Sequence, residues 1–209
     1  MVEVYHVFEA VASAITLLVA LLVSYRAYRG YRIAQNLNLL ILAAGFALVT
    51  LVFALETVGA IAGLRHTAGA GITFLFYYTV TMVEVFAYTL IMLAYLIKPK
   101  AENLLPIIAL LFIPFTFQIL IAILLGVIVF SVWNSYSRRP TAGTALVLSS
   151  FSLLFILHLV SALLVFSPRI ETAGYLYYSI FQLLAFGLLY MAIGPKHYGT
   201  EHKERKSIE

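Results

Sequence analysis

The chain has 209 residues, of which 63% are hydrophobic and only 11% are charged, and its formal net charge is +4. In a soluble domain of this length, roughly a quarter of the residues are charged. The composition therefore predicts a protein solvated by lipid, with no room for a soluble catalytic module. The positive charge indicates contact with anionic lipid headgroups rather than nucleic acid. The absence of cysteine excludes disulfides, thiolate metal sites and a cysteine nucleophile.

Six apolar runs are long enough to cross roughly 30 Å of hydrocarbon. Each run is too long for a strand, so we expect each to cross the membrane as a helix. The fourth run is over-long and contains Pro106 and Pro114, so we expect one tilted or kinked span there. The predicted fold is therefore all-α, a polytopic bundle of six transmembrane helices in the cell membrane. The predicted spans are Phe8–Tyr25, Leu39–Leu64, Ile72–Ile97, Leu104–Phe130, Thr144–Phe166 and Gly174–Ile193.

The connection after the first span contains three Tyr-Arg pairs at a period of three, in the sequence YRAYRGYR. Tyrosine is enriched at the headgroup level, and arginine pairs with phosphate through two parallel hydrogen bonds. We therefore expect Arg26, Arg29 and Arg32 to contact anionic lipid headgroups. A docking surface for an acidic partner is the alternative.

A twelve-residue window occurs twice in the chain. Thr50–Ile61 reads TLVFALETVGAI and Ser152–Leu163 reads SLLFILHLVSAL, with five identical positions. The alignment places Glu56 opposite His158.

A second pair of windows follows in the same order. Tyr77–Ala94 aligns with Tyr175–Ala192 and places Glu84 opposite Gln182. Together the two pairs indicate a duplicated three-helix unit that carries polar groups inside the membrane.

The predicted duplication divides the chain into a first repeat at 1–100, a second repeat at 101–195 and a flexible polar tail at 196–209. Three spans per repeat is an odd number, so repeats that join directly would be inverted about an axis in the membrane plane. Counted by alternate connections, six Lys and Arg residues then lie on one side and seven on the other. The positive-inside rule therefore leaves the orientation open.

Glu84 is the most informative residue, because it lies near the middle of the third predicted span. A lipid-facing carboxylate at that depth costs about 2.5–3.5 kcal/mol or more, so we expect it to face other helices or a wet cavity, or to be protonated. Tyr77, Thr81 and Tyr88 share its helical face, and Gln182 holds the equivalent place in the last span. This stripe predicts either a site for a cation or a water chain, or polar contacts that only hold helices together.

Glu56 and His158 are secondary candidates. Glu56 is near the end of its span, where it could reach the headgroups. His158 is the only histidine inside a predicted span, and it could titrate or simply hydrogen-bond between helices. A contact between the two is plausible across the repeat. Gln118 and Asn134 have no such support and are interpreted as packing or interfacial groups.

The pattern favours no enzyme, no cofactor and no metal. The five histidines are scattered, with no HExxH, and bis-histidine haem would need two of them inside the membrane at matched depth. No nucleotide-binding or nucleophile motif is present.

The stretch from Tyr25 to Pro99 combines the Tyr/Arg-rich segment, LLILAAGFALVTLVFALE and a span with an internal acid. It resembles the N-terminal seven-helix membrane regions of some histidine kinases, and also small uncharacterised archaeal multi-pass proteins. The resemblance implies signal reception or an accessory membrane role. Six spans instead of seven, and no kinase domain, count against a complete receptor.

Two classes of function follow. Repeats with polar residues at equivalent positions favour a small proton- or cation-linked transporter or channel. The resemblance favours a sensor, a scaffold or an accessory subunit of a larger membrane complex, with a homo-oligomer also open.

Overall fold

The computed structural model describes residues 2–62, 69–96, 117–164 and 171–193, which fold into six α-helices. Five of them are long and apolar enough to cross a bilayer, and Tyr178–Ala192 adds a shorter apolar stretch. The predicted all-α bundle is confirmed, and the protein is a multi-pass membrane protein in contact with lipid. The helices are α1 (Val2–Ala34), α2 (Leu37–Ile61), α3 (Ala70–Leu96), α4 (Phe117–Arg138), α5 (Ala142–Leu164) and α6 (Glu171–Ala192).

Two predicted boundaries need correction. α1 continues through the Tyr/Arg-rich segment, because that segment contains one glycine and no proline and so has nothing to stop a helix. The helix ends where Gln35 takes a left-handed φ of 51°, and Asn36 caps α2 by accepting from the Asn38 amide at 3.0 Å. α4 is described from Phe117 and continues to Arg138, past the predicted end at Phe130. The first part of the predicted fourth span lies outside the described residues.

The described helices form a closed ring in chain order. Each helix packs against its neighbours in the sequence, and α6 packs against α1. Large apolar side chains fill the centre of the ring. Phe186 of α6, for example, meets Phe46 and Phe53 of α2 edge to face, at ring-centre distances of 6.3 and 5.3 Å. The interior of the helix ring is therefore packed, and a polar side chain inside it depends on other protein groups for its hydrogen bonds.

Within each group of three helices, neighbours run in opposite directions. In every pair, a later position on one helix meets an earlier position on the other. The contacts that show this are Ser24 with Ala43, Gly30 with Leu39, Gly45 with Ala87, Gly59 with Phe76, Gly126 with Phe155, Gln118 with His158, Ser150 with Ala185, and His158 with Tyr178.

α3 and α4, however, run in the same direction. Glu84 and Gln118 contact the two sides of one imidazole, that of His158, so they lie at similar depth. The Ser131 hydroxyl donates to the Tyr95 carbonyl at 3.3 Å, so these residues also share a depth. From Glu84 to Tyr95 is about 16 Å along α3, and from Gln118 to Ser131 is about 20 Å along α4. Antiparallel helices would separate one of these pairs by more than side chains can reach.

The expected inverted relation between the two halves is therefore wrong. It assumed that the repeats join directly, so that the second half enters from the opposite side. With α3 and α4 parallel, α1–α3 and α4–α6 have the same sequence of directions. A duplication, which stays a prediction, would place its axis along the membrane normal, as in parallel-repeat transporters.

The same directions collect the basic residues at one end of the bundle, where α1, α3, α4 and α6 all end. Every Lys and Arg that the structure describes lies there, on the last turns of α1 and at the end of α4. In the sequence, six more follow the ends of α3 and α6, and only one each follows α2 and α5. The described ones are Arg26, Arg29, Arg32, Arg138 and Arg139. We call this the basic end.

The basic end should face the cytoplasm, because short segments rich in Lys and Arg are retained on that side. Since the chain has no cysteine, single-cysteine labelling can test this without background. In intact cells, a membrane-impermeant thiol reagent should modify Gly69→Cys, at the opposite end, and not Ser137→Cys at the basic end. Both positions are exposed, so both should react after permeabilisation. Labelling of the two from the same side would contradict the helix directions.

Candidate functional site

Seven polar side chains are buried among the described residues, and their partners divide them into two kinds. Thr16 and Thr89 donate to the carbonyl four residues earlier in their own helices, at 2.8 Å. Ser150 donates to the Ala185 carbonyl at 2.7 Å and so joins α5 to α6. The hydroxyls of these three residues thus form their hydrogen bonds with backbone carbonyls, as is usual in membrane helices. The others, apart from Ser13, are an acid, a histidine and an amide: Glu84, His158 and Gln182.

Glu84 and His158 contact each other in the middle of the ring. Glu84 Oε1 lies 3.4 Å from His158 Nε2, and the two side chains are 9% and 0% exposed. They project from α3 and α5, which are not neighbours in the ring. Each group therefore supplies the other with a polar partner that lipid cannot provide.

Two further helices complete the surroundings of His158. On the other side of the imidazole, His158 Nδ1 lies 3.1 Å from Gln118 Oε1 of α4. The Tyr178 hydroxyl of α6 lies 3.4 Å from Nε2. The rings of Tyr88 and Tyr178 both meet the imidazole edge to face, with ring centres 5.7 Å apart. His158 is thus enclosed by side chains from three other helices.

These partners indicate where the protons lie. An amide oxygen only accepts, so the contact with Gln118 requires a hydrogen on Nδ1. In neutral His158, Nε2 then accepts, from the Tyr178 hydroxyl at 3.4 Å or from a protonated Glu84 at the same distance. If the proton moves to Nε2, the pair becomes imidazolium and carboxylate at the same distance. The 3.4 Å separation between Oε1 and Nε2 is thus short enough for a proton to pass between the two groups.

Glu56 lies close to this cluster. It is half-buried on α2, and it interacts electrostatically with Glu84, Tyr88 and Tyr178. His158 contacts Glu84, and the contact between Glu56 and His158 that the repeat suggests stays a prediction.

The other predicted residues are placed less uniformly. Gln182 is 4% exposed, and no described residue hydrogen-bonds its side-chain amide. Tyr77 and Thr81 are half-buried, and the Thr81 hydroxyl donates to the Tyr77 carbonyl at 2.8 Å. The Thr81 hydroxyl thus bonds its own helix, and the predicted stripe of hydroxyls around the acid stays a prediction.

Sequence reasoning missed two members of the cluster, Gln118 and Tyr178. Gln118 was interpreted as a packing group, because nothing in the sequence relates it to His158. Tyr178 lies four residues before Gln182, which places both on one helical face. That spacing was a usable signal.

The arginines that were predicted to contact headgroups all lie at the basic end, far along α1 from the polar cluster. Arg26 is half-buried, and Arg29 and Arg32 are exposed.

No protein-family model, curated protein or solved structure matches this chain. Within the described residues, no three carboxylate or histidine side chains converge closely enough to hold a metal ion.

The contact between Glu84 and His158 should appear as a coupling energy. In a double-mutant cycle of Glu84→Ala and His158→Ala, we expect a coupling of about 0.6–1.7 kcal/mol, the range of hydrogen bonds between membrane helices. Reversible unfolding in SDS measures it.

The control cycle pairs Glu84→Ala with Thr16→Ala, because Thr16 bonds only within α1. Distant, independent sites should add to within about 0.5 kcal/mol. A first cycle as additive as the control would mean that the pair makes no specific interaction.

Proposed function

We propose that this protein is a non-enzymatic, proton-linked transporter or channel of the cell membrane, in which Glu84 and His158 bind and release the proton that moves. The observation that carries the proposal is the 3.4 Å contact between a buried carboxyl and a buried imidazole inside a bundle of apolar helices. Ionisable side chains inside a membrane are expensive, and they commonly mark proton relays and ion pathways.

Two properties of the site suit proton exchange. The pair can gain a second proton or lose its only one, and the partners on Nε2 and Nδ1 can hydrogen-bond the altered forms. In addition, Glu56 contributes a second carboxyl within electrostatic range of Glu84. That carboxyl lies nearer the end of α2 that faces away from the basic end, and it supplies a secondary relay group on that side.

The position of the site also supports transport. The cluster draws on α3 from the first half of the chain and on α4, α5 and α6 from the second, with Glu56 of α2 nearby. Transporters built from repeats place their substrate and ion sites near the midplane, where the repeats meet. Glu84 is the fifteenth of the 27 residues of α3, which is midplane depth.

A sensor or accessory subunit is the second candidate, and the parallel course of α3 and α4 favours it. Six spans had argued against the resemblance to seven-helix sensory regions of histidine kinases. Two consecutive described helices run in the same direction, so the described helices do not by themselves give the total number of membrane spans. A count of six therefore no longer argues against the resemblance. In such a protein, the same pair would respond to pH without conducting.

A flux measurement separates the candidates. Purified protein in liposomes with an internal pH-sensitive dye should dissipate an imposed proton gradient, and Glu84→Gln should reduce the flux to that of protein-free liposomes. The amide can still donate to Nε2 but cannot release a proton, so thermal stability should change little.

Thr89→Val is the matched control, since Thr89 is buried on the same helix and bonds only the Val85 carbonyl. It should conduct like wild type. Transport fails as an explanation if wild type is tight to protons, or if Glu84→Gln conducts as well as wild type, and the sensor then takes its place.

A further inference from the structure

A cavity opens at the basic end, remote from the polar cluster. It lies between the last turns of α1, the first turn of α2 and the end of α6, and its volume is about 360 Å³. Its wall combines two positive charges with apolar surface. The lining residues are Arg26, Arg29, Gly30, Ile33, Ala34, Leu39 and Ile193.

Arg26 is held in place from inside the bundle. Its guanidinium donates to the Tyr190 carbonyl at 3.1 Å and to the Tyr190 hydroxyl at 2.9 Å, and it lies 4.0 Å from the centre of that ring. A guanidinium has five N–H donors, so these two bonds leave others available. The charge is therefore pre-positioned at the cavity.

Arg29 follows one helical turn later and is exposed. Neither arginine pairs with a carboxylate among the described residues. The sequence has no acid at all between Glu9 and Glu56. The two charges at the cavity thus have no counter-charge from their own part of the chain.

The apolar part of the wall limits the class of ligand. Ile33 is 77% exposed, and Leu39 and Ile193 continue the apolar surface beside the arginines. A ligand that satisfies both parts needs an anionic group next to a hydrocarbon chain. The cavity is also at the end of an apolar span, which is the depth of lipid phosphates.

We propose that this cavity binds the phosphate of an anionic phospholipid from the leaflet at the basic end. The phosphate lies against Arg26 and Arg29, and the acyl chains follow the apolar wall. Arginine matches phosphate geometry with paired N–H donors, and basic pockets between membrane helices are suited to anionic headgroups. The proposal is independent of the proton site.

Native mass spectrometry of the full chain tests it. In mild detergent with equal amounts of phosphatidylglycerol and phosphatidylcholine of the same acyl chains, wild type should retain one phosphatidylglycerol in preference. Arg29→Gln should lower that preference about fivefold, the effect of one basic charge near the membrane surface. Arg138→Gln removes a charge at the same end but outside the cavity, and it should leave the preference unchanged.

Three outcomes would overturn the proposal. Equal retention of the two lipids would show that the cavity does not select anionic headgroups. An equal loss in Arg29→Gln and Arg138→Gln would show that only the net charge of the basic end matters. Release of the lipid by millimolar inorganic phosphate would show a site for the free anion instead.

Discussion

Hydrocarbon cannot hydrogen-bond a carboxyl group, and the interior of this protein is organised around that constraint. Glu84 lies at midplane depth on α3, and its partner is His158 from across the ring. His158 in turn needs a partner for Nδ1, which Gln118 supplies from α4, while Tyr178 approaches Nε2 from α6. One buried acid therefore fixes the relative depth of four helices. The apolar contacts around it, such as those of Phe186, fill the space that remains.

The sequence was sufficient to predict the helices and much of the interior, but not the directions in which the helices run. Apolar length predicts a span, and the cost of a polar group in lipid predicts that Glu84 faces inward. Neither property depends on the direction in which a helix runs. The inverted repeat and the balanced charges both came from assuming that consecutive helices alternate. The bond from Ser131 to Tyr95 removes that assumption.

For a similar reason, only part of the polar cluster could be predicted. The repeat pointed to Glu56, Glu84, His158 and Gln182 as positions, but pairwise contacts depend on relative depth and rotation. Gln118 could not be found from the sequence, because only the course of α4 brings it to His158. The same course gathers the described basic residues at one end, an asymmetry that the count over alternate connections did not show. Proton exchange at the midplane and lipid binding at the basic end can therefore be tested as separate properties of one bundle.

The most direct test of the central claim is ¹⁵N nuclear magnetic resonance of His158 in membranes, in wild type and in Glu84→Gln. We expect Nδ1 to carry a hydrogen in both proteins, because Gln118 accepts from it. We also expect Nε2 to exchange a proton in wild type and to lose this exchange when Glu84 is replaced. Exchange at Nε2 that is the same in both proteins, or an Nδ1 without hydrogen, would contradict a proton shared between Glu84 and His158.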